Sequence, residues 1–520
     1  MPLPDRDIAW PPTDPAVQTS LADWDAWYSA DPDRLGDRYL NRGLRELPEN
    51  RPSQYRGGII GRVARWFWGT PTSPGEKRTK LHIPLAGDIA RTSSALLFSE
   101  PPKLSSQHTA TQARLDKLLP GLHPQLLEGG ELCAALGGSY LRVVWDDEVA
   151  ERPWIAPVAA DAAVPEFRYG RLRAVTFWTV VDRDGHTIWR HLERHEKGRI
   201  LHGLYAGTLG TLGHRRALED HPATAPLARS ITAEDWIDTG APDHLTASYM
   251  PNVRPARAWR HIPQAAYWGQ SDFHGIEPLM DALDETWSSW MRDVRQGKGR
   301  IIVAESLLES TGPGKGATWN EDREVYTGLN MLPRAGDPNP ITDIQLAIRV
   351  KEHADTCAAL VEQAARQAGY SASTFGEHGD GAAITATEIR ARERRSMSTR
   401  GRKALYAGPA LADVLAAQLA VEAGPLFGAK GLELEPPKVE FQDSISESLG
   451  ELATTVETIR RAEAASTETL VATVHPDWDQ TQVDAETRKI MDETGRGMQA
   501  DPTLTGAEQA SGFPPRRDEE

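Results

Sequence analysis

The spacing of apolar residues changes period twice along the chain, from helical to alternating and back to helical. Residues 16–48 carry Leu21, Trp24, Trp27 and Tyr28 at helical intervals and predict one helix. IPLAGDIARTSSALLF, residues 83–98, predicts a second, with Pro84 in its first turn and Glu100-Pro101-Pro102 ending it. A third spans 123–136 and stops at Gly137-Gly138. The period then becomes two. SYLRVVWDD, AVPEFRYGRLRAVTFWTVV and HTIWRHLERHEKGRILHGLYAG are β-rich, with Asp182, Asp184 and Gly185 forming a turn between the last two. Residues 139–265 thus predict an antiparallel sheet region, loop-rich over 215–245.

Helical spacing returns at YWGQSDFHGIEPLMDALDETWSSWMRDVRQGKGRII, residues 267–302. Ile276, Met280, Leu283, Trp287, Met291 and Val294 step by three or four and form one apolar stripe. Asp281, Asp284, Glu285 and Ser288 fall off it. Arg292, Arg295 and Lys298 gather where the helix dipole favours cations, and Gly297 and Gly299 end the helix. Some twenty such residues span roughly 30 Å. RIIVAESLL predicts a strand, GPGKGAT a turn, and 320–346 short strands and loops. A second helix is expected over about 344–369. If the two helices pair antiparallel, residues 303–343 form a module at their far end. A glycine-rich loop, 373–385, leads into a long helix from Ala386 towards Glu422, which Pro409 should kink. Pro436-Pro437 marks a boundary before a helical C-terminal region, and residues 501–520 predict a disordered tail.

Composition narrows the function. A length of 520 residues suggests about three domains, and 39% hydrophobic with 25% charged residues excludes global disorder. A net charge of −16 argues against tight non-specific nucleic-acid binding. Cys133 and Cys357 are the only cysteines, too few for a disulfide scaffold, and both sit in apolar stretches expected to bury them. The N-terminus lacks the basic-then-apolar pattern of a signal peptide. PALADVLAAQLAVEAGPLF, residues 409–427, is too short and polar to span a bilayer, so no membrane association is expected.

No catalytic constellation stands out. GPGKGAT lacks the phosphate-loop spacing. His191, Glu193 and His195 would share one face of a strand and in principle could hold a metal, but the neighbouring Arg194, Glu196 and Lys197 suggest a solvated ribbon. EIRARERRSMSTRGRK, residues 388–403, is a basic helical run open to a solvated, DNA-facing or inter-subunit reading. The expectation is no enzyme, no metal and no cofactor.

Five stretches, taken in order, resemble the bacteriophage portal proteins of the SPP1-like group: KLHIPLAGDIARTSSALLFSEPP, GGSYLRVVWDD, the 267–301 helix, ITATEIRARERRSMST and PKVEFQDSISES. The resemblance implies an α+β portal fold with an α/β wing, a two-helix stem, a small β-containing clip, a long kinked helix and a helical crown. It would assign 1–276 to the N-terminal and wing region, 277–299 to stem helix 1, 300–345 to the clip, 346–370 to stem helix 2 and 371–385 to the tunnel loop. The wing's long helix would occupy 386–424 and the crown 425–500. Met280, Leu283, Trp287, Met291 and Val294 would pack the stem. Lys298, Arg300, Lys315, Arg323 and Arg334 would face the packaging motor. Thr374, Glu377, His378, Gly379 and Asp380 would face DNA. Such proteins form a ring of about twelve subunits at one capsid vertex of the virion, after assembly in the host cytoplasm. Double-stranded DNA passes through the channel during packaging and ejection, and the ring serves head-to-tail joining. The expected partners are the terminase large subunit, a head-completion adaptor, and the major capsid and scaffold proteins. A virion scaffold or adaptor that forms no channel is the alternative, and a metal-dependent hydrolase using His191, Glu193 and His195 a weaker one.

Overall fold

The structure is a computed structural model that describes residues 3–45, 67, 80–229, 231, 236–296, 300–303, 341–344, 348–375, 386–441, 449–475, 478 and 480–494. The chain divides into two compact units, Met1–Gln442 and Asp443–Glu520.

The first unit opens with α1 (Pro15–Tyr28), whose first turn is capped by Asp14 Oδ1 accepting from the Ala16 amide at 2.8 Å. Its apolar face buries Val17, Leu21, Trp24 and Trp27. The single helix expected over 16–48 is instead two. The chain breaks at Ser29–Asp31, where Ala30 takes φ 53°, and resumes as α2 (Pro32–Arg45). Trp27 Nε1 donates to Tyr39 Oη at 2.8 Å, so the second helix folds back on the first. α3 (Leu85–Phe98) packs along α4 (Thr109–Leu136), which begins 14 residues earlier than its apolar pattern suggests and runs through Pro120 and Pro124. Gly130 sits where these helices meet. A Cβ there would lie 2.7 Å from Ser94 Oγ. α4 ends at Gly137 with φ 82°, and a Cβ at that position would press on the Gly269 carbonyl.

The sheet region is antiparallel, as expected. A short strand, β1 (Lys103–Ser105), pairs far along the chain with β13 (Lys438–Glu440). β2 (Gly138–Val144) lies between β3 (Trp154–Ala159) and β10 (Ala247–Pro251). A larger sheet runs β4 (Ala163–Arg168), β5 (Arg171–Asp184), β6 (Thr187–Glu196), β7 (Arg199–Gly207), β8 (His214–Arg216), with β9 (Trp236–Asp238) also on β7. The β-rich stretch 163–181 holds a hairpin at Tyr169-Gly170, made possible by positive φ at both residues.

Beyond the sheets come α5 (Glu277–Gln296), the paired strands β11 (Arg300–Val303) and β12 (Ile341–Ile344), α6 (Val350–Ala368) and α7 (Ala386–Ala423). β12 ends at Ile344, about where the second helix was expected to begin, and α6 starts at Val350. α7 passes Pro409 without interruption. Its segment Glu393–Ala423 is long and apolar enough to cross a membrane, but 72% of its most apolar stretch is buried, among neighbours from α3, α4 and β10.

The second unit contains α8 (Leu449–Arg461), α9 (Thr467–Val474) and α10 (Gln480–Glu493). Ser466 caps α9 by accepting from the Thr469 amide, and Leu470, Val471 and Val483 are buried within the unit.

Candidate functional site: a helix pair and its buried root

α5 and α6 pair antiparallel. Tyr370, just past α6, meets Asp272, just before α5, and at the other end Asp293 of α5 meets Arg349 and His353 of α6. The expected apolar stripe of α5 is packed unevenly. Ile276, Met280 and Leu283 are buried beside Cys357, Ala364 and Ala368. Trp287 and Met291 are half-buried, and Val294 is 40% exposed. At the same end Ile348 and Val350 are exposed too. Trp290 lies parallel to His353, ring centres 6.1 Å apart. The pair is therefore sealed at its root and apolar but open at its far end.

The other face of α5 carries contacts that the sequence reading did not name. Asp281, Asp284 and Ser288, which fall off the apolar stripe, are buried. Asp284 Oδ1 accepts from the Ile83 amide at 2.8 Å, and its Oδ2 lies 2.7 Å from His82 Nδ1. Ser288 Oγ accepts from the Leu81 amide at 2.9 Å, and Asp281 from the Phe67 amide at 2.8 Å. Polar residues at 281, 284 and 288 recur at helical spacing, so they form their own stripe, one that satisfies an extended segment's backbone. That recurrence is the signal by which the contact could have been found.

At the root, five elements converge on Asp272 and its partner Lys403. Asp272 Oδ2 accepts from Lys403 Nζ of α7 at 2.5 Å and from Tyr370 Oη at 2.8 Å. Its Oδ1 accepts from Asn252 Nδ2, after β10, at 2.8 Å. Its amide donates to the Ala134 carbonyl of α4. Lys403 Nζ also donates to Ser93 Oγ of α3 at 2.5 Å. Burial and the adjacent Asp272 charge push the Tyr370 hydroxyl well above its ordinary range. Burial likewise raises the nearby Cys133 thiol to about 12, so it is held as an inert thiol. Cys133 and Cys357 are both buried and unpaired with each other, as their apolar surroundings suggested.

A second latch joins the end of α6 to α7. Thr399 Oγ1 donates to the Gly369 carbonyl at 2.6 Å. Ser396 Oγ accepts from the Ser371 amide at 2.9 Å and lies 2.8 Å from Thr374 Oγ1. Thr374 thus sits in a short 3₁₀ turn, Ala372–Phe375, tied to α7. Glu377, His378, Gly379 and Asp380 lie outside the described residues, as do Lys298, Lys315, Arg323 and Arg334. Arg300 begins β11.

His191, Glu193 and His195 share one face of β6, as period two requires, but that face is no solvated ribbon. His195 is fully buried and Arg194 is 4% exposed. Glu193 accepts from Arg142 Nη1 of β2 at 2.7 Å and lies 2.6 Å from His195 Nε2. His195 Nδ1 lies 2.7 Å from Thr246 Oγ1, and His191 Nε2 lies 3.1 Å from His202 Nδ1. Burial alone would raise Glu193, yet the hydrogen bond and charge of His195, with Arg142, hold it far below the usual carboxylate range. These groups bind the two sheets together. Among the described residues no cluster of three or more His, Cys, Asp or Glu is placed to hold a metal.

No curated protein matches the sequence. Three solved structures are similar in part. They are the neck of a native GTA particle computed with C12 symmetry (15% identity, 75% of this chain and 89% of that chain, TM-score 0.38), the virion of a native gene transfer agent particle (14%, 80% and 99%, 0.36) and the neck of an empty GTA particle computed with C6 symmetry (14%, 80% and 98%, 0.39). Residues 267–499, which contain the helix pair, its root and the long helix, match the family described as phage portal protein, SPP1 Gp6-like.

Proposed function

We propose that the chain assembles into a ring of about twelve subunits surrounding a channel for double-stranded DNA at one capsid vertex. The α5–α6 pair is read as the stem, β11–β12 as the base of the clip, and α7 as the wing's long helix. Residues 371–385 are read as the loop that faces DNA, with Thr374, Glu377, His378, Gly379 and Asp380 in it. Lys298, Arg300, Lys315, Arg323 and Arg334 are read as facing the packaging motor. The terminase large subunit, a head-completion adaptor, and the major capsid and scaffold proteins are the partners this reading requires. Assembly would take place in the host cytoplasm and the finished ring would reside in the virion.

One observation carries the proposal. The helix pair is fixed at its root by a buried ion pair, while its apolar stripe continues past its own packing to exposed Val294, Ile348 and Val350. An isolated helix pair gains nothing from such positions, whereas flanking copies would bury them. The net charge of −16 agrees with a conduit, because a strong grip on phosphate would brake sliding DNA. Light scattering with negative-stain imaging of the purified protein tests the reading. Rings with a central hole are expected, alone or after mixing with capsid and scaffold proteins. A monomer under both conditions would overturn it.

A further inference from the structure

Two separate exposed surfaces are complementary in charge. The first is the turn after β2, WDDEVAER, residues 145–152. Trp145 is 41% exposed and packs edge-on against Phe427, ring centres 5.0 Å apart. Val149 and Leu426 beside them are also exposed. Around this apolar patch stand Asp146, Asp147, Glu148 and Glu151, all exposed. The neighbouring cation, Arg152, is turned towards the buried Glu422 at 3.6 Å.

The second surface is the β4–β5 hairpin, FRYGRLR. Its tip presents Tyr169, 89% exposed, with Arg168, Arg171 and Arg173 around it. Arg168 lies over the Tyr169 ring at 5.7 Å. Arg168 and Arg171 face each other across the hairpin, and none of the three arginines forms a salt bridge among the described residues. Tyr169 holds φ 49°, a left-handed conformation that costs a non-glycine residue of order 1 kcal/mol.

The two surfaces are distinct patches of the chain. Phe167, at the hairpin's base, packs on Tyr249, which is registered opposite Tyr140 near the start of β2. Trp145 follows the strand's other end, five residues and roughly 17 Å away. Two distinct, complementary patches on one molecule suit a head-to-tail contact, which closes into a ring when the rotation per subunit divides a full turn.

The geometry points to a heterologous contact between copies of this chain, in which the Tyr169 hairpin of one subunit seats on the Trp145–Phe427 patch of the next. The three arginines face Asp146, Asp147 and Glu148, and the aromatic residues form the desolvated centre. This deepens the ring reading above and rests on it.

The test joins the two surfaces covalently. Val149→Cys and Tyr169→Cys are placed in one chain, whose native cysteines are buried. Mild oxidation followed by a non-reducing gel is expected to give a ladder of disulfide-linked multimers, absent from either single variant. Imaging of the same sample separates the outcomes. Rings without a ladder overturn this contact and leave the ring standing. A ladder without rings keeps the contact and overturns the ring, and neither overturns both. As a second measurement, Arg168→Glu, Arg171→Glu and Arg173→Glu together should weaken self-association roughly tenfold at low salt. Adding Asp146→Lys, Asp147→Lys and Glu148→Lys should restore it. Unchanged association in the arginine variant would also overturn the contact.

Discussion

Lys403 and Asp272, 131 residues apart in sequence, meet as a buried ion pair with Nζ 2.5 Å from Oδ2. Neither side chain retains appreciable contact with water, so each depends on the other for solvation. The pair links α7 to the entrance of α5, and Tyr370 adds the exit of α6. The two helices and the long helix are therefore fixed to one another at a single point.

Removing one member of this pair should be costly. Lys403→Met leaves a buried carboxylate uncompensated and is expected to destabilise the protein by about 3–5 kcal/mol. Tyr370→Phe removes one hydrogen bond to a charged acceptor and should cost about 1.5–3 kcal/mol. Combining Lys403→Met with Asp272→Leu should recover much of the first loss, because no unpaired charge then remains. Chemical denaturation of the three variants measures this. A Lys403→Met protein as stable as the parent would show that water reaches the site.

The polar stripe of α5 makes a separate prediction. Asp284→Ala removes the acceptor for the Ile83 amide and the partner of His82. Amide hydrogen exchange should accelerate most over residues 80–84, with little change in α6. Uniform acceleration through the helix pair would instead mean that Asp284 supports the pair as a whole.

These contacts show what was legible in the sequence. The stripe from Ile276 to Val294 could be read because helical spacing is a local property. The extent of its burial could not, since that depends on neighbours the spacing does not name. Asp281, Asp284 and Ser288 were read only as lying off that stripe, although their own recurrence at helical intervals was present. The Asp272–Lys403 pair left no local signal at all, its members being separated by two helices and a sheet. The same limit hid the face of β6: alternation put His191, Glu193 and His195 together, but Arg142 and His202 arrive from other strands.

The β6 face also makes stability depend on pH. His202 is depressed to about 4, first by burial, with Arg142 and the neighbouring histidines adding to it against the pull of Glu193. His191 is lowered too, again chiefly by burial. For a histidine whose folded value lies below its ordinary 6.5, the unfolded chain takes up the proton first. Stability is then complete above about 6.5 and falls as pH drops towards 4. Glu193 acts in the same direction at still lower pH. Thermal unfolding followed from pH 7.5 to 4.5 should show a declining midpoint, and His202→Gln should flatten that decline. Parallel profiles for parent and variant would assign the acid sensitivity to other groups.

Val294 and Val350 lie at the open end of the helix pair, exposed by 40% and 51%. If they belonged to the subunit's own core, replacing them would cost stability. Exposed as they are, Val294→Lys with Val350→Glu should leave the isolated subunit within about 0.5 kcal/mol per site of the parent. Placed between subunits, the same charges would have to be desolvated, and the assembly should weaken by at least roughly tenfold. Thermal unfolding of the monomer and light scattering of the assembled protein, made on one preparation, separate the two effects. A fall in monomer stability with unchanged assembly would place these valines in the fold itself and remove the helix pair's far end from the inter-subunit surface.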